Sequence, residues 1–218
     1  MESNIASQSM CRRLLLVGGG GHSHSVLDSA LSSGIYEKIG IVDNTDSTYL
    51  GVPVVGTDDN IPELIKKGWT DAFISVGSIG DTRTRRRLYD MVKRYGLSVA
   101  TIIDSSAIVG KGVVIQEGVF IGKRAVVNVG CYIGTCSIIN TGAIVEHDCR
   151  IDDFSHVSPG TTLCGQVKVG HDSHVGAGSV VKQLVVIGDK VLIGAGSTVL
   201  KNIPNNVKAY GNPCRVVE

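Results

Sequence analysis

Three consecutive residues, Glu146, His147 and Asp148, set an imidazole between two carboxylates. Imidazole titrates near the working pH of most enzymes, and a neighbouring carboxylate stabilises its protonated form, so these are the residue types for proton transfer. In the run that follows, Phe154-Ser155-His156-Val157-Ser158-Pro159, comes a second histidine, His156. A different chemistry is suggested near the start, where Gly18, Gly19, Gly20 and Gly21 precede His22. A glycine turn opening a helix offers unpaired N–H groups and the positive end of the helix dipole to a phosphate. Asp43 follows Gly18 at the spacing where an acid often meets a ribose hydroxyl. Finally, Gly176-Ala177-Gly178-Ser179 and Gly194-Ala195-Gly196-Ser197 repeat one tetrapeptide.

The elements that must position these residues fall into two kinds. From Ile103, every sixth residue through Val109, Ile115, Ile121 and onward to Val199 is aliphatic, and a small or β-branched residue follows each by four, from Ala107 to Ser197. The two copies of the tetrapeptide are three such steps apart. Neither a helix of period 3.6 nor a meander with variable turns keeps a register of six over about a hundred residues, whereas a solenoid does. Glycine often follows the aliphatic residue, as at Gly110 and Gly176, and is read as serving a turn of unusual dihedrals. Before the repeat, Arg12 to Val17 reads as a strand, His22 to about Ser33 as a helix, and Ile39 to Val42 and Phe73 to Val76 as further strands, with helical patterns near 61–67 and 83–95. That order predicts a parallel, Rossmann-like sheet. Residues 1–11 read as a disordered tail, 12–100 as a Rossmann-like domain and 101–218 as the repeat domain with a C-terminal tail.

Composition narrows the functional classes. Lys and Arg number 21 against 20 Asp and Glu, so no global field recruits nucleic acid or an anionic membrane surface. Apolar stretches are interrupted well before membrane-spanning length, and the N-terminus has no apolar signal core; the expectation is a cytoplasmic protein. The six cysteines form no CxxC pair, which favours free thiols over disulfides or zinc.

The register of six resembles that of the hexapeptide-repeat acyltransferases, which implies a left-handed parallel β-helix with one hexapeptide per side and three hexapeptides per coil. With Gly18 to His22, the run Ile41-Val42-Asp43-Asn44 and Gly51-Val52-Pro53-Val54-Val55-Gly56, the chain resembles the nucleotide-sugar N-acetyltransferases of bacterial surface-glycan synthesis. That group includes the bacillosamine-pathway and perosamine N-acetyltransferases and sialic-acid-associated O-acetyltransferases. The resemblance implies an acetyl-CoA-dependent N-acetyltransferase acting on a 4-amino-4,6-dideoxy sugar linked to a nucleotide. A first domain this short for a full dinucleotide fold fits a mononucleotide part such as UDP. The resemblance further implies His147 as general base tuned by Asp148, and His156, Ala177 and Ala195 as acetyl-CoA contacts. Gly20, Gly21, His22, Asp43, Asn44 and Gly77 would hold the nucleotide-sugar, with no metal and with active sites between the subunits of a homotrimer. Asn44 stands where many relatives carry a second acid. Arg83 to Arg87 (Arg-Thr-Arg-Arg-Arg) reads as a solvated helix face, with a diphosphate contact as the alternative. Competing readings are an O-acetyltransferase of a sialic acid or related sugar and, from another class, a non-catalytic hexapeptide scaffold trimer.

Overall fold

In the computed structural model, residues 12–45 and 48–217 are described; the tail read at 1–11 lies outside them. The first half is a sheet of order β3-β4-β2-β1-β5-β6. Its strands are β1 (Arg13–Val17), β2 (Lys38–Val42), β3 (Thr48–Tyr49), β4 (Val52–Gly56), β5 (Asp71–Ile74) and β6 (Ser98–Val99), with helices α1 (Gly21–Ser33), α2 (Ile61–Lys66) and α3 (Arg83–Arg94). All neighbours are parallel except β3 and β4. Leu14, Leu15 and Leu16 of the central β1 are wholly buried, because helices cover both faces of a parallel sheet.

From Ile102 onward the chain is a prism of two-residue strands stacked in parallel on three faces, a left-handed parallel β-helix. Each strand pairs with the one three hexapeptides on, as in Phe120↔Ile138, Val126↔Ile144 and Tyr132↔Arg150. The aliphatic ladder points inward: Ile133, Val145, Ile151, Val157 and Val175 share one fully buried cluster with the second series at Ala125, Cys131, Ala143 and Cys149. A carboxy-terminal hairpin, Lys208–Gly211 with Cys214–Val216, adds two strands that the register of six does not foretell.

The corners correct one sequence expectation. Glycines after the aliphatic residue do not carry positive φ; that falls two residues later, at Arg124, Cys136, Asp148, Phe154, Gln166, Asp172, Leu184 and Lys190 as well as at glycines. Gly176 is needed for closeness instead: a Cβ there would lie 2.5 Å from the backbone nitrogen of Ala195 on the next coil. The two kinds of corner position should answer oppositely in chemical denaturation. Gly176→Ala should cost about 1–3 kcal/mol through overpacking, while Lys190→Gly, which relieves a left-handed residue (φ 54°), should stay within about 1 kcal/mol of the parent despite the usual cost of glycine.

Candidate active site

His147 sits on the corner between the face carrying Ile144 and the face carrying Arg150. Asp148 takes a left-handed conformation (φ 58°), and its Oδ2 lies 2.9 Å from His147 Nδ1. That fixes the proton on Nδ1 and leaves Nε2 as the free acceptor. The hydrogen bond with Asp148 holds the imidazolium above its ordinary range, and the charges of Asp148 and Glu146 add to it. The ring is half exposed and lies over Gly165, where a Cβ would come 2.5 Å from Nε2. A small pocket of about 230 Å³, lined by His147, Gly165, Gln166, Gln183 and Leu184, opens beside it.

The tetrapeptides lie on a different corner, between the first face and the face of Ile144. Ala177 and Ala195 are exposed and stacked, with Gly196 N–H donating to the Ala177 carbonyl at 2.8 Å. Pro159 and Gly160 extend the strip one coil back, through Gly178 N–H donating to the Pro159 carbonyl at 3.0 Å. The strip is narrow and carries nothing larger than a methyl group at Ala177 and Ala195, the shape a thin pantetheine chain can follow.

His156 does not meet His147 within the chain. It stands on the first face, which the α/β domain covers, and both ring nitrogens are engaged. Asn140 Nδ2 lies 3.1 Å from His156 Nε2, and His156 Nδ1 lies 3.3 Å from the Ser78 carbonyl. Because Asn140 Oδ1 accepts from Thr141 N–H at 2.8 Å, the amide donates to Nε2 and the ring donates from Nδ1. Burial, with the adjacent His174 ring 4.8 Å away, pushes the His156 pKa down to about 3, so the ring is neutral.

The glycine turn forms as expected. Gly20 caps α1 without a side-chain bond, and a Cβ at Gly20 or Gly21 would meet nothing within 4 Å, so the surface at the start of the helix is open. Gly18 (φ 110°) has no room for a side chain, since a Cβ would come 2.5 Å from Val76. Asp43 turns inward to brace this loop: Oδ2 accepts from Gly19 N–H at 2.6 Å and Oδ1 from the N–H and hydroxyl of Thr45. Slight burial opposes its ionisation, but these donors outweigh it and hold the carboxyl below its usual value. Asn44 is exposed beside it. His22 packs edge-on against Phe120 of the prism and lies under Gly77, and burial together with the charge of Arg85 pushes its pKa down to about 4. A pocket of about 280 Å³ between α1 and the strip corner is lined by His24, Tyr49, Lys123 and Thr141, among others. The stacking of His24 on Tyr49, 3.5 Å between centroids, carried no sequence signal, because Tyr49 belongs to a two-residue strand.

The arginine run is a solvated face only in part. Arg85 is buried and Arg86 pairs with Asp172 of the prism at 2.8 Å, while Arg83 and Arg87 remain exposed. A larger cavity, about 830 Å³, opens there, on the edge of the first face away from the strip. Its groups are tied to one another: Arg83 to Asp81, and Arg86, Thr82 and His171 to Asp172. Among the described residues no cluster of three or more His, Cys, Asp or Glu could hold a metal ion, and no helix is long and apolar enough to cross a membrane.

A glycine-turn α/β domain seated on a left-handed hexapeptide prism, with a free imidazole on one corner and a smooth strip on another, defines an acyltransferase of the hexapeptide class. Residues 13–92 match the family model described as the PglD N-terminal domain. The fold superposes with TM-score 0.88 on a perosamine N-acetyltransferase from Caulobacter crescentus in complex with CoA and GDP-perosamine, at 36% identity over 94% of this chain and 96% of that one. The acetyltransferase domain of PglB from Neisseria gonorrhoeae, in complex with acetyl coenzyme A, gives TM-score 0.89 at 31% identity over 94% and 99%. WeeI from Acinetobacter baumannii shares the fold, with TM-score 0.85 at 22% identity over 94% and 100%. The chain belongs to the hexapeptide-repeat nucleotide-sugar acetyltransferase family and is an acetyltransferase that uses acetyl-CoA.

The Asp148 contact makes a direct prediction for the His147 titration followed by NMR. A raised midpoint means that the carboxylate stabilises the imidazolium, so Asp148→Asn should move the midpoint to lower pH. An unchanged midpoint would show that Asp148 does not tune the ring.

Proposed function

We propose that the chain transfers the acetyl group of acetyl-CoA to the amino group of a nucleotide-linked 4-amino-4,6-dideoxy sugar, with UDP as the preferred nucleotide, at a site completed by a second subunit of a homotrimer. The observation that carries this reading is the placement of the three prism faces. One is covered by the α/β domain, and a second presents Tyr132, Arg150 and Lys168. The third is free and largely apolar outward, with Ile108 64%, Ile144 37% and Val180 44% exposed, and an unpartnered apolar face of this kind marks an interface. The strip of Ala177 and Ala195 bounds that face on one side, and His147 bounds it on the other. Packing three prisms about an axis through this face sets the strip of each chain against the His147 corner of the next. The pocket of His24, Tyr49, Lys123 and Thr141 adjoins the same strip corner, so residues 12–100, as the nucleotide-sugar-binding domain, deliver the sugar to the groove.

In this reading Gly20, Gly21 and His22 cradle the diphosphate at the α1 N-terminus, and Asp43, Asn44 and Gly77 border the nucleoside. Ala177 and Ala195 guide the pantetheine arm. His156 touches acetyl-CoA by exchanging its Asn140 or Ser78 hydrogen bond for one to the thioester. The amine attacks the thioester carbonyl, and Nε2 of His147 takes the proton the nitrogen loses. As the tetrahedral intermediate collapses, the C–S bond breaks and the imidazolium returns the proton to the departing CoA sulfur. Asp148 holds the ring in the tautomer this requires. Structures of the C. crescentus enzyme holding CoA and GDP-perosamine include variants with one histidine replaced by asparagine or alanine, which agrees with a histidine acting on bound substrates.

His147→Ala should lower kcat by about 10²–10⁴ and leave the oligomer folded, as judged by thiol release and by sedimentation; near-parental turnover would remove His147 from the mechanism. A panel of UDP-, GDP- and dTDP-linked amino sugars reads the nucleotide preference, and a GDP-sugar used best would overturn the UDP assignment.

The site between chains has its own test. Inactive His147→Ala chains mixed with inactive Ala177→Trp chains should regain part of the activity, since in a mixed trimer some grooves pair an intact strip with an intact His147. Verified mixed trimers without activity would place the whole site in one subunit.

A further inference from the structure

Arg85 is the largest fully buried side chain of the described residues, 2% exposed, and none of its hydrogen bonds goes to a carboxylate. Its guanidinium donates to the carbonyls of Cys136 and Phe154, the latter at 3.1 Å. These are left-handed corner residues (φ 54° and 60°) one coil apart. Arg86 grips Asp172, the equivalent residue (φ 60°) of the next coil. Two successive arginines of α3 thus hold three successive coils at one corner. Burial pushes the Arg85 pKa down to about 10, still far above neutrality, so a cation sits in the seam between the domains. The same Nη1 that donates to the Phe154 carbonyl lies 3.4 Å from the Ser78 hydroxyl, and the Ser78 carbonyl faces His156. His22, beneath Gly77, is close enough for the Arg85 charge to oppose its protonation. Three of the buried polar atoms left without a partner, His22 Nε2, Arg85 Nε and His174 Nδ1, belong to this seam. Each such atom forfeits the hydrogen bond it would make in water, so the seam is held at a cost.

We propose that Arg85 is a positioning residue for the nucleotide-sugar half of the site: it registers the Gly77–Ser78 loop against the prism coils, so that the α/β domain presents its ligand at a fixed height along the acetyl-CoA strip. Lysine cannot replace it, because one ammonium does not span carbonyls on two coils in a planar fork. The proposal rests on the reading that Gly77 borders the nucleotide-sugar. Steady-state kinetics and calorimetry on the full chain test it, with UDP- and GDP-linked 4-amino sugars and acetyl-CoA as probes. Arg85→Lys should raise the KM for the nucleotide-sugar about tenfold and leave that for acetyl-CoA within twofold. A residue that only supports the fold would instead lower thermal stability and the active fraction, with both KM values unchanged, and that result would overturn the proposal. Ser78→Ala leaves the corner grip intact, so it decides the matter even if Arg85→Lys does not fold. It should weaken nucleotide-sugar binding severalfold, Ser78→Thr should restore it, and unchanged binding in Ser78→Ala would overturn the proposal. A parent chain that binds no nucleotide-sugar overturns the functional reading and this inference with it; a parent that binds while the variants match it overturns this inference alone.

Discussion

Everything in the prism depends on one constraint: six residues must return the chain to the next face with an aliphatic side chain pointing inward. The corner that achieves this puts one residue per hexapeptide into the left-handed region, and at many corners that residue is not glycine. A non-glycine residue there costs roughly 1–2 kcal/mol, and the stacked coils offset it by giving each corner a backbone partner. Asp148 N–H donates to Val129 at 3.0 Å, Phe154 to Thr135 at 2.8 Å and Asp172 to Asp153 at 3.0 Å. Inward positions are filled by the ladder, so the polar groups the prism presents stand at its corners and on the outer side of its faces.

The same corner geometry makes two histidine–aspartate pairs and then treats them differently. His147 with Asp148 and His171 with Asp172 occupy equivalent positions four hexapeptides apart, with Nδ1 to Oδ2 distances of 2.9 and 2.7 Å. In the second pair, Asp189 lies 3.3 Å from His171 Nε2, and Arg86 and Thr82 hold Asp172. Burial opposes ionisation of that carboxyl, but the donors Arg86, Thr82 and His171 bring its pKa down to about 2. Both ring nitrogens of His171 are occupied by carboxylates, and Asp172 is tied to α3 through Arg86 and Thr82, so this pair is a clamp for α3. In the first pair Gly165 clears the space over Nε2, and the acceptor is open.

The seam between the domains follows from the face that the clamp occupies. Phe120 and Ile138 of the prism share a buried cluster with Leu27 and Ala30 of α1, so the α/β domain is seated by apolar contact and aligned by polar bridges. At the far end of α1, Ser29 donates to the buried Asp104 at 2.6 Å while Lys123 joins Asp104 and Asp28. Histidines caught in this seam lose the solvation their charged form needs, which is why His22 and His156 are neutral while the exposed His147 is poised to ionise.

Periodicity alone determined that the second half is a solenoid with an inward aliphatic ladder; the three-sided coil, and with it the stacking of the two tetrapeptides, followed from the family resemblance. The glycine turn and the strand that feeds it were legible from local pattern, and the hydrogen-bonded pair of His147 and Asp148 was legible as neighbours in sequence. Tertiary structure decided whatever depends on which face the first domain covers. It engaged both nitrogens of His156, turned Asp43 toward Gly19, buried Arg85 in a run that reads as a surface helix, and separated the open histidine–aspartate pair from the closed one. It also moved the reason for Gly176 from dihedral freedom to the approach of a neighbouring coil. These outcomes turn on contacts between residues a coil or more apart in the chain, and local pattern contains no term for the desolvation or the partners that such contacts impose.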